Sequence, residues 1–324
     1  MLARTADNLY WLARYMERAD FLARILDATR RLATVPTANA GPGTGTEWDS
    51  VLEASGAAEG FRKTGHMPDE LSVVDYLTFA EDNPSSICNC IEKARTNARA
   101  VRTALTAEMW DAINGAWIEL KRYLQARASS SFYDRVELTR FLDFVKKASL
   151  DYDGAAHRTM LRNDAYWFSR LGLYIERADN TARILDVKYN ILLPESETIG
   201  GSLDYFQWAS ILRAVSALNA YHWVYRTSLK PWLIADLLIL RMEMPRSLLA
   251  CYDNIVRFLD SISQAYGQKG TAQVQAHHVM ARLMKATTRE IFQSGLHEFV
   301  TAFVEDNTRL GMTICEQYLF ECPT

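Results

Sequence analysis

Glycine and proline are both scarce, 15 and 8 in 324 residues, and they gather in a few breaks rather than recurring through the chain. That scarcity argues against a turn-rich β architecture. The longest apolar stretch, "PWLIADLLIL", is about half a membrane span and carries Asp236. A net charge of -3 gives no reason to expect a nucleic-acid or anionic-membrane surface. Five cysteines, an odd number in a long chain, do not make a disulfide framework, and Cys88 and Cys90 stand too close for the usual zinc half-site. They read as buried or idle thiols. There is no phosphate-binding Gly-rich loop ending in Lys-Ser/Thr, no G-x-G-x-x-G and no G-x-S-x-G. Neither E-x-x-H nor H-E-x-x-H occurs, so no metal site and no cofactor is expected. The first residues, "MLARTADNLYWLARYMERAD", carry charge throughout and do not look like a signal peptide. The expectation is a soluble, cytoplasmic protein, with 49% apolar and 23% charged residues.

What the chain has is helical periodicity and a repeat. No alternating strand pattern stands out, so the fold class is all-α. The first helix is expected from about Ala6 to Leu32, its apolar stripe formed by Trp11, Tyr15, Leu22 and Leu26, with Leu12, Ala19 and Ala23 alongside. "TVPTANAGPGTGTE" ends it, and another helix opens near Trp48. The second copy begins with "NDAYWFSRLGLYIERADNTARILDVKYNILL", breaks at "PESETIGGS" and resumes around Trp208. Further on, "EDNPSSICNCIEKAR" matches "MEMPRSLLACYDNIV", with Pro84 opposite Pro245, Ser86 opposite Ser247 and Cys90 opposite Cys251. Both prolines fit the first turn of a helix, with Asn83 as an N-cap. Long helices at about 107–127 and 134–161, then 271–290 and 294–320, close the halves. The organisation expected is a tandem duplication of a roughly six-helix unit, residues 1–160 and 161–324. The halves would pack as one body with pseudo-two-fold symmetry, because "DYDGAAHRTMLRND" at the seam is too short to be a flexible linker.

The repeat's centre is "YMERADFLARILD" in one half and "YIERADNTARILD" in the other. Adjacent helical residues point about 100° apart, so Glu17 cannot pair with Arg18, nor Glu176 with Arg177. Three and four positions from Arg18 and Arg177 there is no acid; Glu176 has no base at that spacing, and Glu17 has only Arg14. Asp20–Arg24 and Asp179–Arg183, by contrast, are ordinary (i, i+4) pairs that support a helix. Arg18 lies at the edge of the apolar stripe, where an unpaired guanidinium is costly, so the Glu-Arg residues need partners from another element. Two arrangements supply them. The two helices can face each other, with Glu17–Arg177 and Arg18–Glu176 pairing reciprocally. Alternatively Glu17, Arg18, Glu176 and Arg177 form a functional, catalytic set, the arginines forking onto an anionic ligand and the glutamates holding an amine or serving as acid and base.

"ARTNARAVR" sets Arg95, Arg99 and Arg102 on one helical stripe with Asn97 to its side, a face able to receive a phosphate, a carboxylate or a partner protein. The alternative reading is a solvated basic surface. The second half has no counterpart. His277 and His278 are adjacent and diverge, "HMPD" at 66–69 reads as a turn opening a helix, and the eight tryptophans read as core.

The doubled "ERAD…ARILD", the paired helical halves, "NPSSI", "ARTNAR" and Trp110 with Asn114 together resemble the alpha-E family, a helical domain with an ER motif. The resemblance covers essentially the whole chain and places the motif on Glu17–Arg18 and Glu176–Arg177. It implies the company of a circularly permuted ATP-grasp ligase, a transglutaminase-like protein and an N-terminal-nucleophile peptidase, in a system that makes or modifies peptides through amide bonds. Where the family is expected to read "ARENAR", this chain has Thr96, which removes an acid from that helix and leaves its arginines. The function expected is an accessory or co-catalytic subunit of that system. A stand-alone transferase or lyase acting on aminoacyl or peptidyl groups, and a pure scaffold, are the alternatives.

Overall fold

The computed structural model describes residues 1–32, 47–127, 135–190 and 202–319. The breaks "TVPTANAGPGTGTE" and "PESETIGGS" fall almost wholly outside the described residues, as does Cys322. Within them the chain is helical and no strand occurs. In order the helices are α1 (Ala3–Leu32), α2 (Glu47–Ala54), α3 (Ala58–Thr64), α4 (Glu70–Phe79), α5 (Ile87–Ala100), α6 (Ala107–Ala126) and α7 (Arg135–Thr159). They are followed by α8 (Asp164–Asn190), α9 (Ser202–Ala214), α10 (Leu218–Tyr225), α11 (Pro231–Ala235), α12 (Leu248–Tyr266), α13 (Thr271–Lys285), α14 (Thr288–Ser294) and α15 (Leu296–Tyr318). The described residues therefore hold seven α-helices before the seam and eight after it, more than the six per half expected.

Helices α1 and α8 pack on each other as the axis of the molecule. Around α1 lie α5 and α7, with α6 filling between them; around α8 lie α12 and α15, with α13 between. The short helices cross over: α9 packs chiefly on α1, and α2 chiefly on α8. A central helix must be apolar on most sides, and α1 is. Leu9, Tyr10, Leu12, Ala13, Met16, Ala19, Phe21, Leu22 and Leu26 are all buried, whereas Trp11 and Tyr15 are only half-buried. The expected single stripe is thus replaced by a helix enclosed nearly all round. The axis is close-packed at one point. A Cβ on Gly172 would sit 2.1 Å from the Tyr10 carbonyl oxygen, so only glycine lets α8 approach α1 there.

The helix starts follow local chemistry. Ser86 and Ser247, not Asn83, are the N-caps of α5 and α12, accepting from the amides of Asn89 and Ala250 at 3.3 and 3.0 Å. Asn83 is buried and holds the preceding turn instead: its Nδ2 donates to the Tyr76 carbonyl, and its Oδ1 accepts from the Ser85 amide. Pro84 and Pro245 lie in those turns rather than in the first helical turn. Asp69 caps α4, as "HMPD" suggests. Two other expectations shift. The seam stays helical through Thr159 and breaks only over 160–163. The helix expected over 271–290 ends at Lys285, because Thr287 and Glu290 form a capping box that starts α14.

Candidate functional site

Glu17 lies in the middle of α1 and Glu176 in the middle of α8, each with 2% of its surface exposed. Their partners come from across the axis. Arg177 donates from Nε to Glu17 Oε1 at 3.1 Å and from Nη2 to Oε2 at 2.8 Å. Arg18 makes the matching fork, from Nε to Glu176 Oε1 at 2.5 Å and from Nη2 to Oε2 at 3.1 Å. The reciprocal pairing is therefore the arrangement present, and each fork is bidentate, the strongest guanidinium–carboxylate geometry.

Each carboxylate also has a second guanidinium. Arg14 donates from Nε to Glu176 Oε2 at 2.8 Å, and Arg246 from Nη1 to Glu17 Oε1 at 2.7 Å. Arg14, the one base at helical spacing from Glu17, thus serves the opposite helix. Arg246 also reaches Asp20, Nη2 to Oδ2 at 2.9 Å, where it joins Arg24 at 2.7 Å. Asp20 is as buried as Glu17, so its bond to Arg24 is one part of a buried network and not the simple helix-surface pair expected. Asp179–Arg183, at 2.6 Å, is closer to that expectation, with both side chains part-exposed. On the side of Glu176, Arg18 Nη1 donates to Ser85 Oγ at 3.1 Å. Ser85 and Arg246 each follow the paired prolines, so the alignment of those turns was a signal for both. Asn307 on α15 is the other residue sequence reasoning missed. Buried, it donates to the Ile175 carbonyl and accepts from Tyr252, fixing α8 immediately before Glu176.

The electrostatics follow from this geometry. Burial alone would push both carboxyls up. For Glu17, Arg177 and then Arg246 outweigh it and hold the group down at about 2. For Glu176, Arg18 and then Arg14 do the same, again to about 2. Burial likewise opposes the charge on Arg18 and Arg177, and the facing glutamates more than restore it, so both guanidiniums titrate above their ordinary range. Burial pushes the thiols of Cys90 and Cys251, near the two forks, up to about 12, which leaves them protonated and unreactive. Cys88, Cys90 and Cys251 are free thiols.

Arg95, Asn97, Arg99 and Arg102 lie elsewhere, on the outer side of α5 and in the 3-10 turn Arg102–Ala104 after it. Arg95 donates from Nε to Asn114 Oδ1 at 3.1 Å and lies over the Trp117 ring, and Arg102 lies over Trp110. His277 faces Asp260 at 3.1 Å. Among the described residues, no group of three or more His, Cys, Asp or Glu could hold a metal ion, and no helix is long and apolar enough to cross a membrane.

Fold and site together define an all-helical protein whose two axial helices are joined by exchanged Glu-Arg pairs. The chain belongs to the Alpha-E family, described as a predicted alpha-helical domain with a conserved ER motif, and the match spans residues 1–319. The dipeptide Glu-Arg occurs twice in the sequence, at the two positions that form the forks. Part of the chain is similar to uncharacterised proteins of Mycobacterium bovis and of a Mycobacterium tuberculosis strain, each 30% identical over 120 residues. The alignment takes in 33% of this chain and 13% of each relative, so this chain matches only a small part of those longer proteins. No solved structure matches it.

Proposed function

We propose that this protein is a helical accessory subunit of an amide-bond-forming system, in which Glu17, Arg18, Glu176 and Arg177 lock the two axial helices and do not act on substrate. One observation carries the second part: each glutamate has both oxygens engaged by two guanidiniums and is held at about 2. A carboxylate so stabilised is a weak proton acceptor near neutral pH, where a general base works best with a pKa close to ambient. The forks that would have gripped a ligand carboxylate are occupied by the chain's own glutamates. The stand-alone transferase or lyase reading loses its acid–base pair by the same argument.

The matched neighbours of α1 and α8, and the exchange of α2 and α9, support an ancestral duplication in which the halves of 1–160 and 161–324 form one body. The resemblance to the family supports a cytosolic ATP-grasp ligase as the partner, with a transglutaminase-like protein and an N-terminal-nucleophile peptidase in the same system. Such a ligase carries its own nucleotide site and makes its own acyl-phosphate, so this subunit would present or orient the amine or peptide.

A tagged pull-down from native cells at moderate salt, read by mass spectrometry, tests the reading. Stoichiometric recovery of an ATP-grasp ligase is the result expected. Recovery of the protein alone, from cells that express such a ligase, would overturn the subunit assignment.

A further inference from the structure

The surface of α5 and α6 carries a row of cations that stand close together without carboxylate partners. Several exposed basic residues sit beside a carboxylate one helical turn away: Arg31 with Asp27, Lys63 with Glu59, Lys147 with Asp151 and, on α6 itself, Arg122 with Glu119. Arg95, Arg99, Arg102 and Lys121 have no carboxylate partner among the described residues. Glu92 stands three positions before Arg95, the spacing of a helical ion pair, yet Arg95 turns away from it towards α6.

Three of the four lie on aromatic rings instead. Arg102 lies 5.2 Å from the centre of Trp110, Arg95 lies 5.4 Å from Trp117, and Lys121 lies 5.0 Å from Trp117 on its own helix. Trp110, Asn114, Trp117, Lys121 and Leu124 follow one another at steps of four and three, so they form one stripe along α6. It runs for about 20 Å, at 1.5 Å per residue. Arg95, Arg99 and Arg102 form the facing stripe. Stacking on a ring holds a guanidinium in place without neutralising it, so the donors stay turned towards solvent with their charge intact. The two tryptophans are only half-buried and Leu124 is 37% exposed, which adds apolar area beside the charge. In the second half the place of this run is taken by "IVRFLDSIS", so the feature belongs to one half alone.

We infer that the α5–α6 face, through Arg95, Arg99, Arg102 and Lys121 with Trp110 and Trp117, docks an acidic segment of a partner protein. Charge complementarity selects the occupant: a row of positioned, uncompensated cations flanked by aromatic rings on a chain that is otherwise slightly acidic. This deepens the subunit reading above by naming the surface and the chemistry of the partner's contact.

The test uses the full chain and a fluorescein-labelled oligoglutamate peptide, followed by anisotropy at low salt. The comparison probe is oligothymidylate of matched charge. One variant carries Arg95→Gln, Arg99→Gln and Lys121→Gln. The control variant carries Lys63→Gln, Arg140→Gln and Lys147→Gln, removing as many cations from carboxylate-paired sites. The expected result is that the peptide binds the wild type and the control variant alike, and the face variant at least about tenfold more weakly. Equal binding by the two variants, no binding of the peptide, or tighter binding of oligothymidylate than of oligoglutamate would each overturn the inference. The pull-down separates this from the subunit reading. If the ligase is recovered equally with wild type and face variant, the docking surface is wrong and the subunit reading stands. If no ligase is recovered but the peptide distinguishes the two variants, the subunit reading fails and the acidic-segment surface stands.

Discussion

Arg177→Ala is the most informative single substitution, because it removes one fork and leaves the rest of the network in place. Glu17 stays buried at 2% exposure and keeps a single bond, from Arg246 at 2.7 Å. Oε2 loses its donor altogether. Truncating one member of a buried ion pair costs about 3–5 kcal/mol, most of it the penalty of the charge left behind. Arg246 partly neutralises that charge, which puts the loss at the lower end. The contact of Arg177 with the Tyr174 ring disappears as well and adds roughly 0.5–1 kcal/mol. The sum is about 3–4 kcal/mol. Urea unfolding followed by far-ultraviolet circular dichroism measures it, taking the change in midpoint at constant slope. A loss below about 1 kcal/mol, the worth of an exposed pair, would refute the lock. The same variant, supplied at a concentration and temperature where it is folded, is expected to support amide formation by the recovered ligase as well as wild type does. Wild-type stability with lost activity would be the signature of a ligand clamp instead.

Two further outcomes follow from the same geometry. Glu17 and Glu176 are held at about 2, below an ordinary 4.5, so their contribution to stability is complete above pH 4.5 and is lost as pH falls towards 2. Unfolding free energy measured across that window should fall steeply for wild type and less steeply for Glu176→Gln, and parallel curves would contradict the assignment. Gly172→Ala places a methyl 2.1 Å from the Tyr10 carbonyl and forces α1 and α8 apart, with an expected loss of about 3 kcal/mol or more; a melting temperature unchanged by this one methyl would mean the axis is not close-packed there.

Much of the fold could be read from sequence because helices announce themselves locally. Periodicity and the breaks set most of the long helices to within a few residues. The need of the Glu-Arg residues for outside partners was legible for a different reason: none had a partner of opposite charge on its own helix that could satisfy it. Reciprocal pairing with the second copy was one of the two arrangements left open, and a ligand site was the other. What could not be read depends on reach. Arg14 is one turn from Glu17 in sequence, but the position of α8 decides that it donates to Glu176. Arg246 approaches from a turn more than two hundred residues from Glu17; the aligned prolines mark that turn, but only the packing of α12 on α8 brings it to the fork. The misplaced N-caps show the limit of single-residue rules. Asn83 is a good capping residue, yet a buried Tyr76 carbonyl needed its amide more, and Ser86 took the cap. The enclosed surface of α1 was hidden in the same way, since alanines and a methionine look neutral until helices close around them.

The forks do more to define the arrangement than to stabilise it. Taking two carboxylates and four guanidiniums out of water is expensive, and an apolar set of similar volume is often as stable or more so. What apolar residues cannot supply is register. A leucine stripe tolerates a slide by one helical turn, whereas a bidentate fork engages at one offset. Here the two forks are antisymmetric: Glu17 needs Arg177 while Arg18 needs Glu176, so a shift of α1 along α8 breaks both at once. The second guanidiniums differ between the sites, Arg14 from within the axis and Arg246 from the turn before α12. Both forks are made where α1 meets α8, but the full set of donors on Glu176 comes from α1 alone, whereas that on Glu17 also needs the turn before α12. That difference ties the first half's central helix to the second half's outer layer, as does the packing of α9 on α1. On this argument residues 1–160 expressed alone would leave Glu17 buried without either arginine, or exposed with the apolar surface of α1, and neither state is a stable domain.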